Sequence, residues 1–132
     1  MTRVAALSFF GAFLCAAGSA FADSSYNIKI ETPAGQKAHK GVAKIHITPG
    51  PGFHVNKEFP AMAKVVAPTG VTLDKDKVPP TKVEEAAMDF EVAYTPSEAG
   101  KKTFTGELKF AVCSANSCDP KKEALNFTVD VK

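Results

Sequence analysis

Two cysteines lie close together near the carboxyl end of this chain, in the stretch KFAVCSANSCDPKK that runs from Lys109 to Lys122. Four residues separate Cys113 from Cys118, and Pro120 follows shortly afterwards. Two neighbouring thiols can form a disulfide bond, which either stabilises a fold or exchanges with thiols of other molecules. The compartment and the strands that hold the pair decide between these two roles.

The amino terminus has the pattern of a secretory signal peptide. Arg3 precedes an apolar run from Val4 to Ala17, and a small-x-small sequence ends at Ala22. This order predicts a signal peptide over residues 1–22, with cleavage after Ala22. A retained membrane anchor is a weaker alternative, because a span needs roughly 20 apolar residues. Lipidation at Cys15 is also less favoured, since the two residues before it are bulky.

Cleavage at that site changes the cysteine count and the charge. Cys15 leaves with the signal, so only Cys113 and Cys118 remain, and two cysteines in an exported protein can pair completely. Loss of Arg3 leaves 15 basic residues against 14 acidic ones, a balance that suggests neither nucleic-acid binding nor attraction to a membrane surface. Residues 23–132 have the usual size of one domain.

The apolar residues of this domain alternate with polar ones at period two, which indicates half-buried β-strands. Five such stretches occur. Their inward residues are Ile28 and Ile30; Ala43, Ile45 and Ile47; Met88, Phe90, Val92 and Tyr94; Phe104, Leu108, Phe110 and Val112; and Leu125, Phe127, Val129 and Val131.

Connections rich in proline and glycine separate these stretches and leave little room for helices. Only Glu84 to Met88 is compatible with a helical turn. About seven or eight short strands in one small domain predict an all-β fold, an immunoglobulin-like antiparallel β-sandwich. The tryptophan that usually packs between the sheets of such sandwiches is absent, because the chain contains no tryptophan.

Strand parity predicts where the two sulfurs point. The stretch from Phe104 to Val112 directs even-numbered side chains inward, so Cys113 lies on the outward face. The last strand directs odd-numbered side chains inward, so Cys118 also faces outward if the alternation extends back to it. The four residues between them fit a hairpin loop. Opposed residues have Cα atoms about 4.5 to 5.5 Å apart, within the range of a disulfide.

Such a disulfide would be a weak structural clamp. A loop of about six residues gives roughly 2 kcal/mol of stabilisation, against about 4.7 for 100 residues. A bond at an outward hairpin end is also easy for another thiolate to reach, and exposed bonds are the exchanging kind. Lys109, Lys121 and Lys122 would favour a thiolate nearby and Asp119 would oppose it. Which sulfur is attacked first, and whether the bond is structural or reactive, stay open on these grounds.

Two stretches of the chain resemble a known family, the amino-terminal periplasmic domain of the thiol:disulfide interchange protein DsbD. They are Gly52 to Asn56 and the segment from Lys109 through Cys118 into the last strand. The resemblance spans roughly residues 26–132. It departs from the family in the cysteine spacing, which is five intervening residues in relatives and four here. Those relatives also carry a membrane domain and a thioredoxin-like domain, so we expect this chain to need a separate electron donor.

The resemblance implies a periplasmic electron carrier of the thiol-disulfide oxidoreductase type, with Cys113 and Cys118 as the exchanging pair. It implies thioredoxin-like or membrane-embedded redox proteins as partners, which exchange through a mixed disulfide. It also implies an aromatic-bearing cap loop over the cysteines, expected around Phe53 to Phe59. We expect no cofactor and no metal, because exchange depends on thiolate fraction and access. A monomer without a membrane span after signal cleavage is expected.

The alternative is an exported binding module in which the disulfide is only structural. A soft-metal site such as copper is the version that the composition permits. The candidate ligands form no ligand-spaced cluster: His39, His46, His54, Met62 and Met88. Other chemistry finds little support, since the sequence has no phosphate loop and no nucleophile elbow. The carboxylates of Asp74, Asp76, Glu84 and Glu85 are typical of a solvated loop.

Overall fold

The computed structural model describes residues 25–132, which form ten β-strands and no helix. The predicted signal peptide and Cys15 lie outside the described residues. The strands are β1 (Tyr26–Glu31), β2 (Gly41–Pro49), β3 (His54–Val55), β4 (Met62–Val66), β5 (Val71–Leu73), β6 (Lys77–Val78), β7 (Lys82–Glu84), β8 (Ala87–Pro96), β9 (Gly100–Cys113) and β10 (Cys118–Val131). Within this part of the chain, no helix is long and apolar enough to cross a membrane.

The strands form two five-stranded sheets in which every pairing between named strands is antiparallel. The first sheet has the order β1-β2-β8-β5, with β7 also paired to β8. The second has the order β10-β9-β4-β6, with β3 also paired to β9. The protein is therefore an all-β immunoglobulin-like antiparallel sandwich, as the sequence predicted.

The core lies between the sheets and is built from the alternating apolar residues. Ile45 in β2 and Phe90 in β8 are fully buried, and so are Phe104 and Leu108 in β9 and Val129 in β10. Removing each such side chain from water contributes about 1.5–3 kcal/mol. Phe104 and Phe127 are opposed across the β9–β10 ladder, and their rings stack with centroids 4.9 Å apart.

The segment from Glu84 to Met88, which was compatible with a helical turn, is not helical. Glu84 ends β7 and Ala87 begins β8, and the two residues pair directly across a tight turn. The local helix preference of this segment is weak because a few residues cannot sustain a helix in isolation. Pairing of Met88 with Val83 extends the ladder, and burial of Met88 in the core favours the strand.

The β9–β10 hairpin dominates the second sheet, because each of its strands is fourteen residues long. β4 packs against the middle of β9, where Val65 is opposite Gly106. Gly106 has φ +156°, and a Cβ atom at this position would overlap the Lys64 carbonyl oxygen. Glycine at position 106 therefore permits the close approach of β4 to β9.

Candidate functional site

The two cysteines lie where β9 ends and β10 begins. Cys113 is directly opposite Cys118 in the strand register, and a disulfide bond joins them. Their Cα atoms are 3.9 Å apart, closer than the sequence-based expectation. The predicted hairpin, with Ser114 to Ser117 as its loop, is therefore confirmed.

Serine side chains and backbone groups close this loop. The Ser114 amide donates to the Ser117 carbonyl oxygen at 2.7 Å. The Ser114 hydroxyl oxygen accepts from the amides of Asn116 and Ser117 at 3.4 and 3.3 Å. Serine suits this position because its short hydroxyl can bind backbone groups two or three residues away. These bonds close the loop in addition to the disulfide.

The prediction that the sulfurs point away from the core is supported by the register. Cys113 is one of the buried apolar residues of the fold but does not belong to the hydrophobic core cluster, and its register places it on the same face as the opposed pair of Lys109 and Lys122. The two cysteines nevertheless differ in exposure. Cys113 is only 4% exposed, whereas Cys118 is exposed.

The sequence predicted a bond that another thiolate can easily reach, but of its two cysteines only Cys118 is exposed, whereas Cys113 is buried. Cys113 lies between two neighbouring strands, with His54 of β3 opposite it on one side and Cys118 on the other. Cys118 belongs to β10, which is the last strand of its sheet and has β9 as its only neighbour along this stretch of the described chain.

The stretch that the resemblance marks as a cap loop runs beside the same strand. Its Val55 pairs with Val112, and the Asn56 amide donates to the Ala111 carbonyl oxygen at 2.9 Å. Phe53 and Phe59 are partly buried and pack against the core cluster. The segment then returns to β9 where β4 begins. The fold thus brings the stretch from Phe53 to Phe59 to the edge of β9 that carries Cys113.

The lysines near the disulfide have partners other than the sulfurs. Lys122 and Lys109 lie 3.2 and 3.5 Å from the carboxylate oxygens of Glu107. Desolvation raises the pKa of Glu107, but the hydrogen bonds and charges of Lys122 and Lys109 outweigh it and leave the pKa below its ordinary value. Lys121 lies over the ring of Tyr26, 5.7 Å from its centroid. The lysines that the sequence suggested as thiolate neighbours are therefore engaged elsewhere.

Two of the residues considered as metal ligands, His46 and Met88, have other roles in the fold. His46 in β2 contacts Asp89 at 2.8 Å and Glu31 at 3.5 Å through its two ring nitrogens. The hydrogen bond with Asp89 raises the pKa of His46; partial desolvation opposes this, and Glu31 adds to it. Met88 is buried in the core. Among residues 25–132, no three His, Cys, Asp or Glu side chains are grouped so that they could hold a metal ion.

The carboxylates that were considered as catalysts are also dispersed. Asp74 forms an ion pair with Lys40 at 2.6 Å, and Glu84 lies 3.6 Å from Lys82. Glu85 lies 3.9 Å from Lys57. These are exposed ion pairs of the kind that contribute about 0–1 kcal/mol.

Sequence reasoning did not place His54 near the cysteines. It treated this residue as a loop histidine next to the proline and glycine residues at positions 49–52. The only available signal was the position of His54 inside the stretch that resembles the family. A two-residue strand is too short to show a period, so the pairing with Cys113 emerges only from the fold.

Comparison with known proteins leaves the family open. No family model matches the chain, and no curated protein matches it. A crystal structure of AggA, the major subunit of aggregative adherence fimbriae type I from Escherichia coli, has 10% identity and a TM-score of 0.42, over 81% of this chain and 95% of that one. A PapD-like domain of human CEP192 has 8% identity and a TM-score of 0.33, over 99% and 96%. The resemblance to the DsbD domain stays a prediction.

Proposed function

We propose that this chain is a periplasmic thiol-disulfide exchange module that relays reducing equivalents through Cys113 and Cys118 to other exported proteins. The observation that carries the proposal is the disulfide at the end of the β9–β10 hairpin, with one exposed cysteine and one buried cysteine. A disulfide exchanges when a thiolate can reach one sulfur and the other sulfur can leave. Exposed Cys118 meets the first requirement, and Cys113 is the sulfur that would leave.

The first half of the relay loads the module with two electrons. A thiolate of the reduced partner attacks Cys118 Sγ, the bond to Cys113 Sγ breaks, and Cys113 leaves as a thiolate. The second thiol of the partner then attacks the partner's own sulfur in the mixed disulfide. The partner departs as a disulfide, and the module is left as a dithiol.

The second half passes the electrons on. The Cys118 thiolate attacks a disulfide of the acceptor and releases one acceptor sulfur as a thiolate. The Cys113 thiolate then attacks Cys118 Sγ, releases the second acceptor sulfur and restores the Cys113–Cys118 bond. Because Cys113 ends up beside Cys118 whichever partner is bound, it is placed to resolve this second mixed disulfide.

A purely structural role accounts less well for the position of the bond. Closing a loop of about six residues stabilises a fold by roughly 2 kcal/mol. The hairpin already has a ladder that runs from Gly100 opposite Val131 to Cys113 opposite Cys118, and its loop is closed by Ser114. A crosslink between distant strands would constrain the unfolded chain more. The position of the Cys113–Cys118 bond therefore favours a role in thiol-disulfide exchange over a role in stabilising the fold.

The partners we propose are thioredoxin-like or membrane-embedded redox proteins of the same compartment. We infer this class of partner from the exchange reaction, because each partner must bring a dithiol or a disulfide to the surface that carries Cys118. The proposed periplasmic location rests on the predicted signal peptide and on the oxidising conditions that let a cysteine pair form a disulfide there.

A redox titration of the mature domain tests the proposal. The ratio of disulfide to dithiol is measured after equilibration with mixtures of reduced and oxidised glutathione. A relay requires that the pair be reducible within the range that such mixtures cover. A reduction potential far below about −300 mV would mark the bond as structural and contradict the proposal.

A further inference from the structure

Three side chains form a row across the outer face of the second sheet at the end that carries the disulfide. His54 is opposite Cys113, and Cys113 is opposite Cys118. Opposed residues of neighbouring antiparallel strands direct their side chains to the same face, with Cβ atoms about 4.5 to 5.5 Å apart. His54 therefore projects from the same face of the sheet as Cys113 and is its neighbour across the ladder.

The His54 imidazole is available for proton transfer. His54 is exposed, and its ring has no hydrogen-bond or ion-pair partner among residues 25–132. His46 differs in this respect, because both of its ring nitrogens have carboxylate partners. An imidazole without a fixed partner can give up or accept a proton without breaking an existing interaction.

Apart from Cys118, the ionisable groups around His54 are not directly opposed to Cys113, so His54 is the candidate for proton transfer to that sulfur. On β9, the residues from Ala111 to Ser114 include no ionisable side chain other than Cys113. On β10, Asp119 is opposite Val112 and so belongs to the other face. The β7–β8 turn contributes Glu85, whose nearest cation is Lys57. On the segment after β3, Lys57 and Glu58 are both exposed to solvent.

More distant charges and strands complete these surroundings. Lys109 and Lys122 lie farther along the outer face and share Glu107. β2 and β8 also lie near β3, and the terminal segments Ile47–Pro49 and Ala87–Met88 of these strands carry no charged side chain. His54 is thus the ionisable residue, besides Cys118, that is directly opposed to Cys113.

We propose that His54 donates a proton to Cys113 when the disulfide is reduced and accepts it when the disulfide re-forms. This inference rests on the proposed function and adds its regulation by pH. As a partner thiolate attacks Cys118 Sγ, the bonding electrons leave on Cys113 Sγ, and the imidazolium of His54 protonates that thiolate. In the reverse step, the neutral imidazole takes the proton from Cys113 as its sulfur attacks Cys118.

Histidine is the side chain that ordinarily changes charge between about pH 5 and 8. The rate of reduction, expressed per attacking thiolate, is therefore greatest at the acidic end of this range, where imidazolium is present. The opposite step, in which Cys113 attacks, is fastest at the alkaline end. The balance between the two halves of the relay thus depends on pH.

The test compares wild-type protein with His54→Gln. Dithiothreitol reduces each protein between about pH 5 and 8, and the rate is divided by the dithiothreitol thiolate concentration. We expect the wild-type rate to rise about tenfold or more towards acid pH, within the range of general acid catalysis. The His54→Gln rate should stay flat. The matched control is His39→Gln, which removes an exposed histidine from the loop before β2 and should behave as wild type.

A second measurement follows the thiol directly. In a Cys118→Ser background, the ultraviolet absorbance of the Cys113 thiolate is titrated with and without His54→Gln. A proton shared with the imidazole shifts the titration to lower pH when His54 is present. If proteins with His54 and with His54→Gln have identical rate profiles and identical thiol titrations, this inference is overturned but the proposed function is not. A wild-type disulfide that the glutathione mixtures cannot reduce would overturn the proposed function, and this inference with it.

Discussion

Cys113 and Cys118 are directly opposed and bonded to each other, yet one is 4% exposed and the other is open to solvent. Cys113 lies between β3 and β10, whereas Cys118 lies on β10, the last strand of its sheet. Two chemically identical sulfurs are thereby given different roles. The exposed sulfur of Cys118 meets the partner, and the covered sulfur of Cys113 leaves and later returns.

This asymmetry predicts different trapping by the two single-serine variants. Cys113→Ser leaves the exposed Cys118 without a resolving thiol, so mixed disulfides with partner proteins should accumulate. Cys118→Ser leaves only the covered Cys113, which should trap partners much less. The measurement is non-reducing electrophoresis after expression in the exporting host, followed by identification of the trapped proteins. The double variant is the control for background.

Equal trapping by both single variants would contradict the assigned order of attack. Recovery of no redox protein by Cys113→Ser would contradict the relay itself. Recovery of a thioredoxin-like or membrane-embedded protein is the expected result.

Gly106 should tolerate substitution less well than a second glycine of the same strand. Gly106→Ala forces a Cβ atom against the Lys64 carbonyl oxygen, so β4 must move away from β9. We expect a loss of about 3 kcal/mol or more in the free energy of unfolding, as for overpacked sites with backbone strain. Gly100→Ala is the matched control. It also has positive φ but meets no atom within 4 Å, so about 1 kcal/mol of strain is expected.

The free energies are measured by urea unfolding of the oxidised proteins. A Gly106→Ala variant no less stable than Gly100→Ala would show that β4 does not need this close approach.

His46 should make stability depend on pH. The Asp89 hydrogen bond raises the pKa of His46 in the folded protein against the opposition of desolvation, with a further contribution from Glu31. A group with a raised folded pKa contributes stability that is fully present below its unfolded value, about 6.5, and is lost as the pH rises through the folded value. The free energy of unfolding should therefore fall in wild type between about pH 6 and 8.

The comparison uses His46→Gln, in which this part of the pH dependence should disappear. The effect is expected to be small, about 1 kcal/mol or less, because His46 is partly exposed to solvent. Urea unfolding at several pH values measures it. Parallel pH profiles for the two proteins would show that the contacts with Asp89 and Glu31 do not stabilise the charged imidazole.

Much of the fold follows from residues that are close in sequence. The alternation from Leu125 to Val131 predicts a strand and its inward face, and the burial of those residues agrees. The hairpin between Cys113 and Cys118 was predictable for the same reason. Its loop is short, and each strand carries its own period of two. The exception, at Glu84 to Met88, is a segment too short for a period to be distinguished.

The sequence by itself thus determined the sandwich, the outward parity of both cysteines and their pairing, because side-chain alternation and a short loop are local properties. Only the tertiary structure decided that Cys113 is covered, that Cys118 is exposed and that His54 lies opposite Cys113. The position of His54 depends on β3 reaching β9 from a distant part of the chain. A pairing between remote segments is set by how the whole core packs, and no local pattern of residues records it.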